Sequence, residues 1–234
     1  MRRFYQKVTM EAGAILLDDR PVKTPARAPL TLPSLALAEA VADEWRAQGE
    51  RIDPRSMPLT GLSNAAIDRV MPDPAAFARP IAAYAETDLL CYRADGPAEL
   101  VTRQAEAWDP VLDWARARFD VHFTVTSGII HAPQPPATIV RLGEVLRARD
   151  PFSLAAMAPI VTIGGSLVVA LALAHGEIDA DTAFDITHLD ELWQAERWGE
   201  DKLALEARAV RKRDFMAAAQ LLSLCDRARH SLFG

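Results

Sequence analysis

Apolar and polar residues alternate at the start of the chain, then give way to a spacing of three to four residues that persists towards its end. Phe4, Val8 and Met10 share one parity, with Lys7 and Thr9 on the other, which predicts a short half-buried strand. Glu11-Ala12-Gly13 turns the chain into Ala14-Ile15-Leu16-Leu17. Asp18-Asp19-Arg20-Pro21 turns it again into Val22-Lys23-Thr24, because Asp tolerates turn and left-handed backbone. Pro25, Pro29 and Pro33 punctuate a fourth extended piece around Leu30-Thr31-Leu32, a placement that suits strand ends and edges. Ser34 then caps a helix whose Leu37, Val41 and Trp45 fall on one face, with Gly49 placed to end it.

A loop from Ile52 to Pro58 leads to helices at 60–70 and 74–85, and Asp88 to Arg93 reads equally as a strand or as the end of the second helix. Trp108, Leu112, Ala115 and Phe119 recur at helical spacing. Val121 to Val125 reads as a lone strand before the Pro133-Gln134-Pro135-Pro136 break, with His122 on its solvent side. Further helices are expected at 137–149, 152–175, 180–198 and 201–229. The pattern predicts an α+β protein: a small β-rich N-terminal domain over 1–60, then a larger helical domain over 61–234.

Composition narrows the function classes. The chain of 234 residues is 50% apolar and 25% charged, the balance of a folded soluble protein. Its 26 Lys and Arg against 32 Asp and Glu leave a formal charge of −6, so no global basic field draws in nucleic acid or anionic lipid. Cys91 and Cys225 form no CxxC pattern and read as buried apolar side chains in a reducing compartment. Met1 to Tyr5 lacks the apolar stretch of a secretory signal. Ile160 to Ala174 falls short of the roughly 20 residues that span a bilayer. It reads as a buried helix in which Gly164 and Gly165 let a neighbour approach closely.

Phosphate-loop, dinucleotide-binding and nucleophile-elbow motifs are missing, and His122, His131, His175, His188 and His230 are too dispersed to build a metal face locally. Carboxylates are more concentrated. Between Asp185 and Asp201 they face Arg197 as the sole cation, and from Lys202 to Asp214 the sign reverses. The segment from Leu189 to Glu200 combines this acidity with Trp193 and Trp198. Leu189, Trp193 and Glu196 share one helical face, and Asp190, Gln194 and Arg197 or Trp198 the next. Three readings fit: a solvated helix anchored by its tryptophans, a partner-binding face with aromatic contact area and acidic specificity, or a carboxylate pair for acid–base chemistry.

Ordered blocks along the chain carry a resemblance. Arg3-Phe4-Tyr5-Gln6-Lys7-Val8 and Leu16-Leu17-Asp18-Asp19-Arg20-Pro21-Val22-Lys23-Thr24-Pro25 open it. Ala42-Asp43-Glu44-Trp45, Ile52-Asp53-Pro54, Met57-Pro58-Leu59-Thr60, Asp88-Leu89-Leu90-Cys91-Tyr92-Arg93, Trp108-Asp109-Pro110 and the Trp193-Gln194 to Trp198-Gly199 block follow in order. The set resembles the assembly chaperones of the ATP synthase alpha subunit over essentially the whole chain. Asp19 stands where that family more often carries Gly.

The resemblance implies a bacterial, cytoplasmic member, its eukaryotic relatives working in the mitochondrial matrix. It implies binding to the free alpha subunit before handover to beta, without cofactor, metal, small-molecule substrate, nucleic acid, membrane insertion or catalysis. The expected partner-binding residues are Glu191, Trp193, Gln194, Glu196, Trp198 and Glu200. An enzyme with a site assembled from distant residues in a cleft between the domains, or a general adaptor, are the alternatives.

Overall fold

The structure, a computed structural model, describes residues 1–128 and 130–230, the last five by their backbone alone. It is α+β, with a small sheet ahead of a long run of helices. The chain forms two compact units, neither of them one continuous stretch. The first takes Met1–Phe77, Asp150–Met157 and the described residues from Ala217 onward, and the second takes Ala78–Arg149 and Ala158–Met216.

In the first unit β1 (Val8–Glu11), β2 (Ala14–Leu17) and β3 (Arg20–Pro21) pair antiparallel in that order, with Val8 opposite Leu17 and Leu16 opposite Pro21. Asp18 and Asp19 close the second hairpin at φ of +48° and +63°, the paired left-handed conformation that follows strand twist. The Asp18 carboxylate accepts the amides of Gln6 (3.1 Å) and Lys7 (2.8 Å), and these bonds hold its pKa below the usual range. A Cβ on Gly13, at φ +81°, would stand 2.7 Å from the Leu32 carbonyl oxygen, so that turn requires glycine. The extended pieces expected at 22–24 and 30–32 form isolated bridges instead of strands, Lys23 opposite Pro29 and Ala14 opposite Thr31. The prolines there withhold the amide donors that a continuous ladder needs.

Helix α1 (Leu35–Arg46) starts where the Ser34 hydroxyl accepts the Leu37 amide at 3.1 Å. It stops at Arg46, before Gly49. Glu44 on α1 accepts the amides of Leu59 and Thr60, each at 2.7 Å, and so caps α2 (Pro58–Ala65), which runs on as a π turn over Ala66–Val70. Tyr5, Leu17, Ile52 and Met57 form a core cluster against which Val8, Val22 and a half-buried Trp45 pack.

After α3 (Pro74–Ala82), a 3₁₀ turn over Leu89–Cys91 leads into β4 (Tyr92–Arg93), so the segment that read as strand or helix end is a little of each. Helix α4 (Ala98–Phe119) buries Trp108, Leu112, Ala115 and Phe119 as their spacing predicts. No strand forms over 121–125. The pairing falls on β5 (Thr126–Ser127), parallel to β4, while the Gln134 side chain takes both backbone groups of Thr124. A side chain there does the work of a partner strand. Helix α5 (Pro136–Arg147) follows.

Two helices expected to be continuous are broken. The 152–175 stretch divides into α6 (Pro151–Gly164) and α7 (Leu167–Ala174) at Gly165, whose φ of +69° ends a right-handed helix. Ser166 restarts it by accepting the Val169 amide at 3.0 Å. The fully buried Asp88 accepts the Ser166 hydroxyl (2.7 Å) and the Val168 amide (3.0 Å), and its burial pushes its carboxyl up to about 6. The 180–198 stretch divides into α8 (Ala180–Thr187) and α9 (Leu189–Trp198) at Thr187, whose hydroxyl donates back to Phe184 (2.9 Å), and His188. Gly164 does admit a close neighbour: a Cβ there would lie 3.1 Å from Thr187 Cγ2 of α8. Helix α10 (Lys202–His230) closes the described chain.

Candidate partner-binding site

Helix α9 packs against α4 and α8 within the second unit. Its apolar face, Leu189, Leu192 and Trp193, joins Ile186 and Ala107 in a groove of about 400 Å³ edged by Arg103, Glu106, Asp185 and Glu196. Gln104, 1% exposed on α4, fixes the helix from beneath by donating to Asp190 (2.7 Å) while its oxygen accepts the Ala94 amide (2.8 Å). Trp108 donates its indole N–H to the Ile186 carbonyl at 2.7 Å, tying α8 to α4.

The six residues singled out in the sequence take different environments. Trp193 is 5% exposed, its indole N–H without a hydrogen-bond acceptor among the described residues and its ring covered by the Arg197 guanidinium at 5.1 Å. Trp198 is 74% exposed and meets Trp193 edge to face. Gln194 is exposed beside it. Glu196 is exposed and pairs with Arg103 at 2.7 Å. Glu191 and Glu200 converge on one cation, Arg208, and Glu191 also takes Arg211 at 2.5 Å. Arg208 is only 8% exposed, so this acid pair serves to bury a guanidinium. The structure thus brings Trp193, Gln194, Glu196 and Trp198 to one end of α9, and turns Glu191 and Glu200 towards α10.

Arg103, Gln104 and Arg208 escaped the sequence reading as parts of this site. The change of sign after Asp201 was the trace of Arg208: a basic helix start follows an acidic helix because the two neutralise each other. Nothing local marks Arg103 or Gln104, which lie far upstream of their partners. The first turns of α10 also leave Leu203 (73% exposed), Leu205 (47%) and Val210 (46%) uncovered, next in sequence to Trp198.

Other titratable groups are shifted by their surroundings, Cys91 and His188 in the packed interior and His175 at an exposed position against the Trp114 and Phe119 rings. Burial pushes the Cys91 thiol up to about 12, and burial with nearby Arg149 and Arg118 brings His175 down to about 4. His188, stacked on Phe184 at 3.9 Å, is also lowered by burial. Among the described residues no group of three His, Cys, Asp or Glu side chains could hold a metal ion, and no helix is long and apolar enough to cross a membrane. The His230 side chain lies outside the described residues.

The chain thus joins a small sheet and a long helical run to an acidic, tryptophan-bearing helix that leaves apolar area exposed. The family model described as ATP12 chaperone protein matches residues 2–116. The crystal structure of Atp12 from Paracoccus denitrificans shares 44% identity, over 96% of this chain and 98% of that one, with a TM-score of 0.91. Protein atp12, mitochondrial, of Schizosaccharomyces pombe is 25% identical over 98% of this chain and 84% of its own length. The chain belongs to the ATP12 chaperone family, assembly chaperones of the F1-ATPase.

Proposed function

We propose that this protein holds the free alpha subunit of the F-type ATP synthase head in the bacterial cytoplasm, keeps it from aggregating and yields it to beta. The observation that carries this reading is Trp198, 74% exposed and braced edge-on against a buried Trp193, with Gln194 and Glu196 beside it. A large aromatic side chain left in water on a firm base gains much from being covered by a partner. The neighbouring acid and amide supply directional contacts, and the exposed leucines at the start of α10 extend the apolar area.

An unassembled subunit exposes apolar surface intended for its neighbours, which favours aggregation. A chaperone that covers this surface is displaced by mass action when the final partner buries more of it, so the cycle needs no bond made or broken and no cofactor. The test is co-expression of alpha with and without this chain, scoring soluble alpha, followed by capture of alpha and challenge with beta. Soluble alpha is expected to rise severalfold and to leave the chaperone when beta is added. An unchanged soluble yield refutes the role.

A further inference from the structure

The first unit carries a groove of about 610 Å³ that the reading of α9 does not use. Leu17, Pro21, Val22 and Trp45 give it an apolar lining, Phe4 contributes a ring that is 64% exposed, and Arg20 and Lys23 supply charge. Phe4 shares the parity of Val8 and Met10, which are partly buried, yet remains in water. The one acid among the lining residues, Asp18, accepts the backbone amides of Gln6 and Lys7 and also feels the nearby charge of Arg20, with which it forms no ion pair. Arg20 and Lys23 form no ion pair or hydrogen bond with any described side chain. In a chain of formal charge −6, the groove is therefore a locally cationic apolar recess.

We propose that this groove docks a polypeptide segment in which a large apolar side chain is flanked by carboxylates. The apolar side chain enters the recess, and the carboxylates meet Arg20 and Lys23, which outnumber Asp18, the single acid among the lining residues. Its sign is opposite to that of the α9 surface, so the proposal stands independently of the role given to α9. A bilayer fits less well: the recess is concave, and two cations fall short of the polybasic cluster that anionic lipid attracts.

The test is calorimetric titration of the full chain with a capped hexapeptide, Gly-Asp-Phe-Glu-Leu-Gly, and with its counterpart carrying Lys in place of both acids. The acidic peptide is expected to bind saturably and roughly tenfold more tightly than the basic one, the difference that a pair of rim ion pairs supplies. In the double variant Arg20→Glu with Lys23→Glu the preference should reverse, and in Phe4→Ala both peptides should weaken. Should the double variant melt well below the wild type, Lys23→Ala and Phe4→Ala carry the same comparison. Equal binding of the two peptides, no saturable heat at millimolar peptide, or a preference that survives the charge swap overturns the proposal. So does co-sedimentation with phosphatidylserine vesicles that the acidic peptide fails to displace, or a dimer of this chain that the double variant dissociates.

Discussion

Trp193 and Trp198 meet edge to face with ring centroids 5.5 Å apart, yet the first is 5% exposed and the second 74%. One ring is committed to the fold and the other is presented on it. The two therefore separate stability from binding within a single helix. Trp193→Ala opens a cavity under α9 and is expected to cost about 3–5 kcal/mol of stability. Trp198→Ala should leave the melting temperature nearly unchanged while weakening capture of alpha at least roughly tenfold, as loss of an aromatic anchor does. Denaturant titration and pull-down, run on both variants, check this.

Glu191 and Glu200 share the nearly buried Arg208. Either acid alone keeps that guanidinium paired, so Glu191→Gln and Glu200→Gln are each expected to cost about 1 kcal/mol or less, discounted for the partial exposure of both carboxylates. Removing both leaves a buried cation unpaired, and the double variant should lose clearly more than the sum of the singles. A double-mutant cycle by urea unfolding measures the excess. Strict additivity would remove the shared-cation account.

Asp88 gives a pH dependence. Burial raises its folded pKa to about 6 from an ordinary value of 3.8. The folded state thus holds this proton more tightly than the unfolded chain. The contribution is full below pH 4 and is lost as pH rises through about 6, on the order of 3 kcal/mol for the two-unit difference. Asp88→Asn cannot titrate. The stability difference between wild type and this variant should shift against the wild type between pH 4 and 6, then level off. A difference that stays flat across that window would place the carboxyl in a more polar setting than its burial implies.

Gly164 faces Thr187 closely enough that a Cβ would lie 3.1 Å from its Cγ2 methyl. Gly164→Ala should destabilise by about 1–3 kcal/mol through overpacking. Adding Thr187→Ser, which removes that methyl, should recover most of the loss. At Gly165 no neighbour can relieve the substitution, because φ of +69° is itself unfavourable to a side chain. Gly165→Ala should lose about 1–2 kcal/mol with no rescue from Thr187→Ser. Thermal melts of the four variants check the contrast.

Much of the architecture was legible along the chain. The alternation before residue 24 gave the sheet, the Asp18-Asp19 pair gave its hairpin, and Ser34 gave the start of α1 at the residue where it begins. Errors fell where a distant group decides the outcome. The pairing partner of β4 comes at 126–127, and within 121–125 the backbone groups of His122 and Thr124 are met instead by the side chains of Thr138 and Gln134. The helix over 152–175 breaks because buried Asp88 stabilises a new N-terminus after Gly165, which hydropathy alone could not reveal in so apolar a run. Within the candidate site the acidic, tryptophan-bearing block was visible. Which tryptophan lies inside, and which acids are consumed by Arg208, was not.

By itself, the sequence determined the elements whose cause lies within a few residues: alternation that makes one strand face apolar, turn residues that accept left-handed backbone, hydroxyls that cap the next amides. Tertiary structure alone decided the fate of every group whose partner is remote. Gln104 meets Asp190, Arg103 meets Glu196, and Trp198 is left uncovered because no described element reaches it. Burial and pairing depend on which distant surfaces meet, and that follows from the packing of the whole chain, not from any local pattern.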